Sequence, residues 1–148
     1  MNFVVDYTSI NTILREELSR EAATAVDKDG ASLYDFLRPL SRDESDLSRY
    51  IADALSSLAA AFWDCYEGTA SAVPEGGEEP VTTMTFYLPD MPSHNTSLAQ
   101  AELQRYIILY VAASFLQEKN QEKAKAFAER ANNALTKANH LMRKRTRI

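Results

Sequence analysis

The residue types that could do chemistry are few in this 148-residue chain: one cysteine, Cys65, and two histidines, His94 and His140. A nucleophile needs a base within hydrogen-bond reach, and neither histidine has a catalytic partner at a spacing that sets up such a pair. Cys65 falls on the apolar stripe of an amphipathic helix, where a thiol packs as a small inert hydrophobe. Asp27-Lys28-Asp29-Gly30 offers two oxygens and a glycine in the manner of a calcium loop. Setting Gly30 at the loop's sixth position puts Ala25 first and Phe36 twelfth, so both required carboxylates are missing and the segment reads as a helix stop. Gly76-Gly77 lacks the Lys-Ser/Thr of a phosphate loop, and four glycines leave no dinucleotide fingerprint. Asn95-Thr96-Ser97 is a formal glycosylation sequon; the first residues carry no export signal, so helix capping is the better reading. The acids Asp43, Glu44 and Asp46 crowd a helix start, where the dipole and solvation account for them. The expectation is a protein that is not an enzyme, with no catalytic residue, no metal site and no cofactor.

Charge is the second feature. The formal net charge is −5, but residues 1–96 carry 6 basic and 17 acidic side chains while residues 97–148 carry 10 basic and 4 acidic ones. After Glu129 there is no acid, and Arg143-Lys144-Arg145-Thr146-Arg147 places four cations in five residues. Opposed halves of this kind steer partners or copies of the chain head to tail, or they are two solvated faces that neutralise each other within the fold. The 143–148 tail is open to three readings. It is a solvated helix end whose cations suit the negative end of the dipole, or an arm that docks on an acidic protein surface, or a phosphate-binding segment. No aromatic residue is interleaved in it to stack on bases. Trp63 and Tyr66 fall off the main stripe of their helix, where they either cover the β-ribbon or sit in an interface.

The elements that must position these residues are mostly helical. Ile10, Ile13, Leu14, Leu18, Ala22, Ala25 and Val26 lie on one face of a helix over residues 9–26. A second helix, 42–66, opens on the capping box Ser41-Arg42-Asp43-Glu44 and carries the stripe Leu47, Tyr50, Ile51, Ala54, Leu55, Leu58, Ala61, Phe62, Cys65, with Arg49 and Asp53 paired outside. Three of the four glycines and four of the five prolines fall in 68–92. There Thr83-Met84-Thr85-Phe86-Tyr87-Leu88 alternates as a half-buried strand, and 69–73 is a weaker partner for it across 74–80. Two strands alone are marginal in water and need a helix surface or another copy's strand. A third helix, 97–117, starts with a Ser97/Gln100 capping box and turns apolar nearly all round from Tyr106 to Leu116, as the centre of a core does. Asn120 caps a fourth, 121–143, whose face of Ala124, Phe127, Ala128, Ala131, Ala134, Leu135 and Ala138 predicts an αα-hairpin. The expected fold is one mainly α domain over 1–148 with four helices and a small ribbon.

A single cysteine excludes an internal disulfide, and the longest apolar run, 106–113, is far short of the ~18 residues of a membrane span. The expectation is a reduced protein of the cytoplasm or of a virion, with no membrane partner.

The order of capped helix, Gly/Pro-rich ribbon, strongly apolar helix and further helix resembles the head–tail connector (adaptor) proteins of long-tailed bacteriophages. The resemblance is carried by residues 41–54 (SRDESDLSRYIADA), by Thr85-Phe86-Tyr87-Leu88-Pro89 in the ribbon, and by residues 103–113 (LQRYIILYVAA) in the apolar helix. It covers roughly 41–117; the helix 9–26 and the long basic-ended last helix stand apart from that pattern. The resemblance implies a homo-oligomeric ring at a portal, with portal or tail proteins as partners and possible non-specific DNA contact. Candidate contact residues are Phe86, Tyr87 and Leu88 in the ribbon and Arg143, Lys144, Arg145 and Arg147 in the tail.

Overall fold

The computed structural model describes residues 1–24, 44–72 and 81–143. The 27–30 stop, the capping box that opens at Ser41, the 74–80 loop, and Lys144, Arg145 and Arg147 lie outside the described residues. The elements run β1 (Asn2–Asp6), α1 (Tyr7–Thr24), α2 (Glu44–Ala61), β2 (Tyr66–Ala72), β3 (Val81–Phe86), α3 (Asn95–Leu116) and α4 (Gln121–Met142). The fold is mainly α, with four long helices and a small antiparallel sheet among the described residues, as the patterning predicts. No described helix is long and apolar enough to cross a membrane.

The sheet has one strand more than expected. Its order is β1-β3-β2, both pairs antiparallel. Phe3 and Val5 of β1 are buried and Asn2 and Val4 exposed, a period-2 alternation that covers one face only. On that inner face Phe3, Met84, Val5 and Thr82 pack toward the helices. Phe86 edges onto Phe62 with ring centroids 5.8 Å apart at 78°, a geometry worth about 0.5–1.5 kcal/mol beyond burial. The third strand and the helices beneath supply what a two-stranded ribbon lacks. A register shift between Tyr66 and Gly68 puts a bulge in β2, and Gly68 takes a φ of 151°.

Helix boundaries differ from the expected ones at both α1 and α2. α1 starts at Tyr7, two residues early, because Asp6 caps it: its carboxylate accepts from Thr8 N at 3.0 Å and Ser9 N at 3.4 Å. α2 ends at Ala61, not 66. Phe62 N still bonds to Leu58 O, but Cys65 N and Tyr66 N both turn back to Phe62 O, and the chain leaves as β2. On α2, Arg49 pairs with Asp46 (3.5 Å) rather than with Asp53.

The Ser97/Gln100 capping box does not form. α3 opens at Asn95, and Gln100 Nε2 instead donates to Asn2 O (2.6 Å), tying β1 to α3. Buried Asn95 donates to Leu141 O (3.1 Å), which fixes the start of α3 against the end of α4. Leu103, Ile107, Val111 and Ala112 have no exposure at all, so α3 is the centre of the core. Each fully buried Leu or Ile contributes about 1.5–3 kcal/mol. Asn120 caps α4 as expected, its Oδ1 accepting from Lys123 N (3.1 Å). The α4 stripe of Ala124, Ala131, Ala134 and Ala138 is buried and lets α4 close tightly on α3; Ala128, expected on that stripe, is exposed.

Candidate interaction surface

Two residues distant in sequence define one end of the molecule. Arg143, at the C-terminus of α4, forms an ion pair with Asp64 in the α2–β2 turn. Its guanidinium also lies 5.2 Å from the centroid of the Phe62 ring. Beside Asp64 in that turn, Trp63 is 77% exposed. Tyr87, 65% exposed, is held next to the same turn because its N–H donates to Cys65 O at 2.8 Å. Tryptophan and tyrosine are both residue types enriched at interface centres, and here both are exposed on neighbouring stretches of backbone.

The expected contact residues divide. Tyr87 is on the surface, whereas Leu88 is half-buried against the core. Phe86 is 1% exposed and is a core residue, because in this strand the helices cover the Met84–Phe86 face. The alternation of β3 reveals two faces without saying which is covered. Arg143 is anchored as described, and the sequence runs on from it into Lys144, Arg145 and Arg147. Trp63 is exposed and does not cover the sheet, whereas the Tyr66 ring lies 6.0 Å from that of Phe86, at the sheet's end.

Cys65 is not on a helical stripe. It sits half-buried in the turn, and its thiol donates to Phe62 O (3.5 Å). Burial pushes the thiol's pKa up, and nearby Arg143 opposes this. His94 is the N-cap position of α3 without a side-chain cap bond, and His140 lies exposed in the last turn of α4. Among the described residues, no three His, Cys, Asp or Glu side chains gather as a metal site would require.

Two grooves flank α3. One, of about 570 Å³, lies between α2, α3 and the first half of α4, with Tyr50, Ser57, Tyr106, Tyr110 and Ala128 in its walls. Ser57 Oγ and Tyr106 Oη share a hydrogen bond of 2.8 Å there. Burial raises the Tyr106 phenol above its ordinary pKa, the Ser57 bond opposing. The other, of about 450 Å³, lies between α1, α3 and α4 over Ile13, Ile108 and Phe127, with Arg105 and Arg130 at its edge.

Compared with protein-family models, with curated proteins and with solved structures, the chain has no match in any of the three.

Proposed function

We propose that this protein is a non-enzymatic assembly component, a head–tail connector of a long-tailed phage or prophage, working as a homo-oligomeric ring at the portal. The observation that supports the reading is that Trp63 and Tyr87, both exposed, flank the turn to which Arg143 is ion-paired through Asp64. A lone exposed aromatic is ordinary on a surface, but an exposed Trp and an exposed Tyr on neighbouring backbone have the make-up of a contact site. The opposed charges of the two halves of the chain orient copies head to tail, the arrangement from which rings close. The element order (capped helix, ribbon, apolar helix, further helix) adds the resemblance to connectors.

Light scattering across a concentration series tests it. Assembly into a species of several subunits, alone or on a portal protein, is the expected result; a strictly monomeric protein under both conditions overturns it.

A further inference from the structure

We infer that the groove between α1, α3 and α4 takes an acidic amphipathic helix of a different protein. The inference concerns a face other than the Trp63 turn and stands whether or not the chain forms rings. Its floor is apolar, made by Ile13 of α1, Ala101, Ile108 and Leu109 of α3, and Phe127 of α4. On α3 the apolar strip runs on beyond the groove, because Leu98, 55% exposed, stands three residues before Ala101 and so shares its face. From Leu98 to Ile108 the strip is ten residues long, roughly 15 Å at 1.5 Å per residue. Such a strip accepts the i, i+3/i+4, i+7 apolar face of a helix.

Charge selects the sign of that helix. Arg105 and Arg130 stand at the groove's edge, and among the described residues neither has a carboxylate partner. Phe127 holds Arg130 beside the floor, the guanidinium lying 5.1 Å from the ring centroid. The one acid in the groove's wall, Glu17, is already paired with Arg20 at 3.1 Å. Along α4, Lys123, Arg130 and Lys137 recur every seven residues, about two turns, which keeps them on one flank. Glu122 and Glu129 each precede one of these cations by a single residue, so they point about 100° away from that flank. The result is a row of cations roughly 21 Å long beside an apolar floor. A small anion uses one or two such charges. A row of this length matches carboxylates repeating along a partner helix.

The described helices of a second copy do not supply that partner. Their large apolar side chains are turned into their own core, and Leu98, which belongs to the groove's own strip, is the one exposed large hydrophobic on any of them. The other exposed ones, Val4, Trp63 and Tyr87, lie on β1 and in the segments that flank β2 and β3. An apolar helix face with acidic flanks therefore has to come from a different chain.

Three synthetic helical peptides test this on the full chain: leucines on one stripe with glutamate flanks, the same stripe with lysine flanks, and the glutamate peptide with its leucines changed to serine. Fluorescence anisotropy of labelled peptides reads affinity, and amide chemical shifts read the place of binding. The glutamate–leucine peptide should bind at least about tenfold more tightly than either control, more weakly as salt rises, and with shifts on α1, α3 and α4 around Ile13, Ala101 and Phe127. Arg105→Glu combined with Arg130→Glu, checked for unchanged helical circular dichroism, should reverse the preference in favour of the lysine peptide. Equal binding of the glutamate and lysine peptides to the wild type, no binding of any peptide, or shifts confined to another face overturns the inference. Light scattering is recorded in parallel: peptide affinity that falls as the protein gains mass would hand the groove to a second copy and overturn it as well.

Discussion

Arg143 and Asp64, seventy-nine residues apart, are joined by an ion pair that clamps the end of α4 to the turn carrying Trp63. The pair is about a third to a half exposed, so the ionic contribution is modest, and the guanidinium adds contact with the Phe62 ring at 5.2 Å.

Arg143→Ala should therefore cost more than Asp64→Ala. The ionic part is worth about 0.2–1 kcal/mol and the ring contact about 0.5–1 kcal/mol. Arg143→Ala loses both, together with a long hydrogen bond to Ala61 O (3.5 Å), and Asp64→Ala only the first. Urea denaturation of the two single variants and the double variant checks this; equal losses from the two single changes would show that the ring contact contributes nothing.

Gly68→Ala should destabilise the sheet although there is room for the methyl group. A Cβ there meets nothing within 4 Å, but φ at 151° is a conformation that residues with a Cβ rarely adopt. The expected cost is about 1–3 kcal/mol. Thermal melting reads it, since about 1 kcal/mol corresponds to roughly 2–4 °C in a chain of this size. An unchanged Tm would show that the bulge relaxes without strain.

Alkaline pH should weaken the fold through Tyr106. Burial favours its neutral phenol, so the folded state holds the proton above tyrosine's ordinary pKa of 10.0. The unfolded chain then binds fewer protons in that window, and stability falls as pH rises past 10. Below that range the contribution is fully present. In Tyr106→Phe the decline between pH 9 and 11 should be shallower, while at pH 7 the variant loses about 1 kcal/mol with the Ser57 hydrogen bond. Parallel slopes for the two proteins would contradict the assignment.

Cys65 should react slowly with a disulfide reagent at pH 8. Its thiolate is disfavoured by burial and its hydrogen bond is to Phe62 O. The rate should rise to that of a free thiol in denaturant; a native rate equal to the denatured one would mean the turn is open.

Helices were legible where burial is one-sided and long. The stripe Leu47, Ile51, Leu58 and the all-round apolar run of α3 repeat often enough to fix type and face. Five-residue β1 escapes the same reading, although Phe3 and Val5 alternate with Asn2 and Val4, because so short an alternation acquires meaning only from β3 alongside it. The end of α2 is silent for another reason: residues 61–66 contain no Gly or Pro, and the chain turns because Phe62 packs on Phe86 and Cys65 bonds to Tyr87. Gln100 and Asn95 have side chains suited to local capping, and both are drawn instead to distant carbonyls.

The candidate surface was half legible. Charge marks the run that starts at Arg143 and the off-stripe position marks Trp63, but nothing local says that Arg143 and the Trp63 turn meet. Phe86 shows the converse, an alternating strand whose covered face depends on helices elsewhere in the chain.

Negative-stain electron microscopy of the full chain, at concentrations where scattering reports the assembled mass, tests the central claim most directly. Closed rings of one subunit number are the predicted result. Isolated monomers, or two-fold dimers that never grow, would contradict it.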